Sequence, residues 1–341
     1  MKKYTNYIID FAKSILNIPS PSGYTRDVIA YINKIAIDLG YSTEETKKGN
    51  LIIEVPGSTK KILGLSGHVD TLGAMVRSIT SDGNIKFTTI GGPIWPTMDG
   101  EYCQIKTREG SVVTGTFLSN SPAVHVYKDA NTILRNPENM FVRIDEVVSS
   151  KEDVIKLGIA PGDYIFFDPK TIITKSGFIK SRFLDDKISV SIIFGLLKYL
   201  RDNSITPKVT LKIIISTYEE VGHGASNIPQ VDELIAIDMG CIGEDLSCNE
   251  RQVSICCKDS SGPYDYQITS KLVEVSKKNK IDYATDIYPF YGSDVSAAYR
   301  GGTDFKGALI GPGVHASHGM ERTHTLAIEN TLKLLIEYIQ Y

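Results

Sequence analysis

Cysteine is scarce in this chain: its 341 residues hold five, an odd number that includes the adjacent pair Cys256-Cys257, in a spacing that fits neither a disulfide framework nor a zinc ribbon. A reducing cytoplasm is therefore the expected compartment. No apolar run reaches the ~20 residues needed to cross a bilayer. The opening Met1-Lys2-Lys3-Tyr4 leads into an amphipathic segment broken by Asn6, Asp10 and Lys13, not into a signal-peptide core. No membrane partner is expected. Neither sign of charge dominates, since 37 Lys and Arg face 40 Asp and Glu for a net charge of -3. The basic residues are also scattered, so the positive stripe that nucleic acid demands is missing. Internal repeats and low-complexity tracts are absent as well.

What is present is the composition of a globular protein, 42% hydrophobic and 23% charged. The length predicts two domains, or one large domain carrying an insertion. Thr5 to Asn17 and Thr25 to Leu39 place apolar residues at helical spacing on either side of Pro19-Ser20-Pro21-Ser22-Gly23, which predicts a helical hairpin. Strand-like runs follow at Asn50 to Val55 and Lys61 to Leu65. From Leu72 to Ser176 the pattern changes to short alternating segments punctuated by Asp82-Gly83, Gly91-Gly92 and Glu109-Gly110, as expected of a small β-rich domain. Afterwards helical and buried-strand patterns alternate again: Asp185 to Leu200, Val209 to Ser216, Glu233 to Ile237, Val253 to Cys257, Tyr264 to Asn279 and Leu326 to Tyr341. Such alternation means α/β. The expected architecture is a mixed sheet with helices on both faces, built from residues 1–72 and 176–341 and interrupted by an inserted β-rich domain at 73–175.

Chemistry-bearing side chains collect where these segments end. In open α/β sheets, ligands gather at the carboxyl ends of strands. His68 follows Ile62-Leu63-Gly64-Leu65, Glu219 and Glu220 follow an Ile-rich run, and Asp238 follows Leu234-Ile235-Ala236-Ile237. A lone histidine is more often satisfied by backbone than by a metal, but Asp70 stands two residues on and can accept the proton of the far ring nitrogen, the usual arrangement behind a ligating imidazole. Asp185 and Asp186 open a helix and could merely cap it. Beside the other acids, however, Asp185 becomes the natural carboxylate to bridge two cations, with Asp186 capping or orienting. Two adjacent acids ending an apolar strand, Glu219 and Glu220, repel unless cations or a shared proton relieve them. Asp238 could equally be a turn former. A final histidine is needed, and spacing does not choose among His315, His318 and His324. Together these residues offer carboxylates and imidazoles for two divalent cations plus a spare carboxylate to move protons, the requirement of metal-assisted hydrolysis.

These motifs resemble the dinuclear metallo-aminopeptidases that assemble as tetrahedral dodecamers, a family also labelled glutamyl or deblocking aminopeptidases and sometimes endoglucanases. The likeness runs along essentially the full length: Gly67-His68-Val69-Asp70, Ile90-Gly91-Gly92, Leu157 to Asp163, Leu184-Asp185-Asp186-Lys187, Glu219-Glu220-Val221-Gly222 and the terminal histidine motif. The resemblance implies one metal held by His68, Asp185 and Asp238 and a second by Asp185, Glu220 and His318, with Glu219 as general base. The family's last ligand usually appears as His-Ser followed shortly by Glu, whereas here the segment is Ser317-His318-Gly319-Met320-Glu321. Asp294 falls where the family has Gly-Thr-Asp, near substrate. The implied activity is removal of N-terminal residues from short peptides by metal-activated water. The implied cofactors are two divalent ions, zinc or cobalt, and the implied assembly is a homo-oligomer, as large as a dodecamer, formed through the inserted domain. Two rival readings are a glycoside hydrolase using Glu219 and Glu220, and a noncatalytic, metal-stabilised scaffold. The first needs acids flanking a sugar bond at least ~5 Å apart and no histidine; the second usually has a closed Cys/His shell.

Overall fold

Runs of β-branched residues such as Ile213-Ile214-Ile215 are buried on both faces, which is the signature of strands inside a parallel sheet. In the computed structural model, which describes residues 1–341, they form the centre of a 10-stranded mixed sheet. Four neighbouring strands run parallel, in the order Thr210–Ser216, Ile62–His68, Glu233–Ile237 and Lys306–Val314. Antiparallel strands close both sides: Leu51–Val55 pairs with Thr210–Ser216, and Val253–Asp259 with Lys306–Val314. The register puts Ser216 opposite His68, and Ile237 opposite Ile310, so the four parallel strands end at one edge.

The chain divides into two compact units, Met1–Thr71 with Lys170–Tyr341, and Leu72–Pro169. Lys170 to Lys175 falls in the larger unit, not in the insertion, because the strand Ile172–Ile173 pairs with Phe178–Ser181, which pairs in turn with Glu321–His324. The smaller unit is a closed six-stranded barrel of Gly73–Ile79, Ile85–Ile90, Met140–Ile144, Val112–Ser119, Tyr102–Lys106 and Tyr164–Phe167. Its inward positions carry a knot of rings, with Phe117 edge-on to Phe87 at 4.9 Å and to Phe167 at 5.3 Å.

The expected helical hairpin does not form as such. The helices Lys2–Leu16 and Arg26–Asp38 are both present, but the first packs along the long helix Leu184–Asp202 and the second against the strands Ser42–Glu45 and Leu51–Val55. The reason lies at Gly195, where an added Cβ would sit 2.5 Å from Ile8 side-chain atoms. The missing side chain lets the two helices close together, and Phe11 stacks on Phe194 at 4.6 Å. Phe11 keeps only a looser ring contact with Tyr31, at 6.2 Å.

A tighter approach holds the sheet edge beside Asp238. At Gly311, in the strand Lys306–Val314, an added Cβ would lie 1.4 Å from the Asp238 carbonyl oxygen. Backbone is there, so no rotamer change relieves the clash. Gly311→Ala is expected to cost about 3 kcal/mol or more and to displace Asp238, read as a lowered urea midpoint.

Candidate metal and peptidase centre

The strand Ile62–His68 delivers His68 to the sheet edge, where its ring is 2% exposed. Its Nε2 lies 3.2 Å from Asp185 Oδ1 and 3.7 Å from Glu219 Oε2. On the other side Nδ1 is 3.0 Å from the Asp70 backbone carbonyl and 3.6 Å from Asp70 Oδ1. The carbonyl oxygen of Asp70 is thus the nearer partner of the far ring nitrogen. The Asp70 carboxylate has other work: it accepts the Ser22 hydroxyl at 2.5 Å, the Glu219 N–H at 3.0 Å and the Glu220 N–H at 3.2 Å. It therefore fixes the turn that carries the two glutamates.

That turn is a short 3-10 helix, Glu219–Val221, directly after the strand Thr210–Ser216. Lys48 and Asn50 donate to the carbonyls of His223 and Gly224 behind it. Ser216 donates to Asp294 Oδ2 at 2.8 Å, which places Asp294, the first residue of the helix Asp294–Arg300, beneath the same loop.

Asp185 and Asp186 stand at the start of Leu184–Asp202, but their backbone is not helical and the peptide bond between them is cis. Neither acts as the ordinary cap; the N-cap is Phe183. Asp186 Oδ2 accepts the His68 N–H at 3.1 Å. Asp185 lies between two imidazoles, with Oδ1 toward His68 and Oδ2 3.6 Å from His318 Nε2. His318 Nε2 is also 3.4 Å from Glu220 Oε2. Among the three terminal histidines this is the one at the cluster. His324 instead caps the last helix, accepting the Leu326 N–H at Nδ1, with Nε2 against the Ser176 carbonyl, while His315 bridges to Arg322 through backbone. Asp238 follows the strand Glu233–Ile237 and is 4% exposed.

The five residues expected as metal ligands, His68, Asp185, Glu220, Asp238 and His318, thus converge. Ligand atoms of His68, Asp185 and Glu220 lie within 4.8 Å of one another, as do those of His68, Asp186 and Asp238. The second grouping gives Asp186 a closer place than the sequence suggested. Sequence reasoning also passed over Ser22 and the place of Glu321. Glu321 was visible as the one acid among the terminal histidines, whereas Ser22 carried no local signal.

So many buried acids are unfavourable unless neutralised. Burial, then the charge of Asp238, pushes Asp186 well above the usual carboxylate range. Burial, with Asp185 next, does the same to Glu220 and lifts Asp238 to about 7. Glu219 is raised well above its ordinary value by burial, then by Asp238, Asp294 and Asp185, although His68 opposes the rise. Burial works against the charged form of His68, yet the Asp185 bond and the surrounding acids hold its pKa well above the usual value. One oxygen of Glu220, Oε1, is buried without a hydrogen-bond partner. A divalent cation answers both facts, supplying positive charge to the cluster and a partner for that oxygen. A set of carboxylates with two imidazoles suits zinc, cobalt or manganese.

The profile of a family described as M42 glutamyl aminopeptidase matches residues 49–334. A protein of Bacillus subtilis (strain 168) named "Putative aminopeptidase YhfE" is 47% identical over 335 residues, 97% of each chain. In fold the chain is similar to the TET aminopeptidase of the marine sediment archaeon Thaumarchaeota archaeon SCGC AB-539-E09, with a TM-score of 0.89, 20% identity, and coverage of 98% of this chain and 96% of that one. It is similar too to the TET1 peptidase of Pyrococcus horikoshii, which is described as assembling into a tetrahedron or a large octahedral shell; there the TM-score is 0.85, the identity 23%, and the coverage 97% and 99%. The chain belongs to the M42 glutamyl aminopeptidase family of metallopeptidases and is a hydrolase, an aminopeptidase.

Proposed function

We propose that the protein removes N-terminal residues from short peptides at a two-ion centre, with His68, Asp185 and Asp238 holding one ion, Asp185, Glu220 and His318 the other, and Glu219 serving as general base. The observation that carries this reading is the position of Asp185, whose two oxygens face different histidines, His68 at 3.2 Å and His318 at 3.6 Å. Bound divalent ions at such a centre polarise the scissile carbonyl and lower the pKa of water toward about 7.

The chain's own residues do the rest. Asp70 holds the backbone of Glu219 and Glu220, so the two side chains leave one turn in fixed directions. Glu219 lies at the cluster, with Oε2 3.7 Å from His68 Nε2, and is left over from the two ligand sets, so its carboxylate is free to take a proton from water and return it to the departing amine. Asp186 keeps His68 in place through its backbone N–H.

Glycoside hydrolysis by Glu219 and Glu220 fits less well, since each acid lies beside an imidazole, which a pair of acids flanking a sugar bond does not need. The proposal extends to assembly. The barrel unit exposes Val124, Val126, Leu134 and Val147, apolar side chains suited to contacts between copies, and a TET1 relative of like fold forms closed shells. Zinc or cobalt as the ions, a cytoplasmic location and short peptides as substrates complete the reading. No helix is long and apolar enough to cross a membrane.

The test is chelation followed by reconstitution, assayed on aminoacyl reporters with N-blocked peptides alongside. Activity is expected to fall to background with chelator, return with zinc, cobalt or manganese, and require a free N-terminus. Activity that survives complete metal removal, or cleavage of blocked substrates alone, would sink the reading.

A further inference from the structure

Glu321 is 2% exposed and stands next to the proposed two-ion centre without belonging to it. Its two oxygens divide their work between distant parts of the chain. Oε2 accepts the Asp185 N–H at 3.0 Å, and Oε1 accepts the His318 N–H at 3.0 Å. The Leu184 N–H adds a further interaction. The same two segments are tied again on either side, by Arg182 Nη1 donating to the Gly319 carbonyl at 3.1 Å and by the pairing of Ser181 with Glu321 between strands.

Both segments are conformationally demanding at this point. His318 has φ 63° and Ala316 φ 59°, and on the other side Phe183, two residues before Asp185, has φ 68°. Left-handed backbone costs a non-glycine residue about 1–2 kcal/mol, so each turn needs outside support. A buried carboxyl group that accepts one N–H from each segment supplies it.

We propose that Glu321 is a positioning residue that clasps the Asp185 and His318 segments together and so sets the gap in which their side chains share an ion. The inference rests on the two-ion reading, and it deepens that reading by naming what holds the shared pair. Glu321 acts through backbone and touches neither substrate nor ion. Burial, then the charge of Asp185, pushes the Glu321 carboxyl well above its ordinary value, and the N–H groups of Asp185 and His318 oppose only part of that rise.

The experiment is zinc titration of chelator-stripped wild type, Glu321→Gln and Glu321→Ala against a competing chromogenic chelator, at a temperature where circular dichroism shows each folded. Wild type is expected to take up two ions. The variants are expected to bind at least one of them about 10- to 100-fold more weakly, Ala worse than Gln, because Gln keeps one acceptor oxygen and presents an amide N–H to the other donor. If the Ala variant does not fold, the Gln variant decides alone. Variants that melt earlier yet hold both ions with wild-type affinity would overturn the clasp and leave the centre standing. A wild type that takes up no metal would overturn both.

Discussion

Glu219→Gln is expected to lower kcat on aminoacyl substrates by about 10²–10⁴-fold while metal content and KM stay close to wild type. The glutamine occupies the same space and keeps the backbone bond to Asp70, so the turn survives, but it cannot accept a proton. In the ion-free cluster, burial, followed by the charges of Asp238, Asp294 and Asp185, raises the Glu219 carboxyl well above its ordinary value although His68 opposes the rise, so this acid readily holds a proton. Glu220→Gln is the contrasting variant. Its Oε2 faces His318 and its Oε1 has no protein partner, so losing that charge is expected to reduce metal content along with activity. Steady-state kinetics on both variants, with metal measured on the same samples, separates the roles. A fully loaded Glu219→Gln enzyme with undiminished turnover would eliminate the base.

Stripping the metal is expected to destabilise the protein, and to do so more at pH 8 than at pH 5. Without ions, Asp238 titrates at about 7 instead of 3.8. Asp186, Glu219 and Glu220 are likewise raised, and His68 lies well above 6.5. Each of these groups binds its proton more tightly folded than unfolded. Folding stability therefore falls as pH rises past the unfolded values and through the folded ones. Asp185, whose pKa is lowered by His68 against the effect of burial, has the opposite sign, but that contribution changes only in more acidic solution. The Asp238 rise alone corresponds to an effect on the order of 4 kcal/mol, most of it developed between about pH 4 and 7. Bound cations replace the protons, so the loaded protein should show a flat profile over the same range. Calorimetric melting with and without chelator at pH 5, 6, 7 and 8 reads this directly. A gap between loaded and stripped midpoints that narrows with rising pH would contradict the assignment of these acids to the metals.

Much of this arrangement was legible in the sequence because strands buried on both faces announce themselves as unbroken apolar runs, and the residue after such a run marks the sheet edge. His68, Glu219, Glu220 and Asp238 were found that way, and all four stand where parallel neighbours end. Asp185 was harder, since acids at a helix start usually cap it; only the non-helical backbone at Asp185 and Asp186 separates ligand geometry from capping. Spacing does not choose among His315, His318 and His324; the resemblance pointed to His318, which reaches Asp185 and Glu220 from a left-handed turn that no spacing rule encodes. The same holds for Asp70, whose side chain serves the glutamate turn more closely than the imidazole beside it. The packing of Lys2–Leu16 was hidden because it turns on one glycine, Gly195, far along the chain from the Ile8 that it admits.

The order of strands in the sheet differs from their order along the chain, and that has a consequence for synthesis. Lys306–Val314 is an interior strand, inserted between Glu233–Ile237 and Val253–Asp259, yet it emerges from the ribosome after both. Until it arrives, a nascent chain has an open seam in its middle and lacks both His318 and Glu321. On the two-ion reading, a chain cut before Lys306 is therefore expected to be inert, because both the strand that fills the seam and the second ion's histidine are missing.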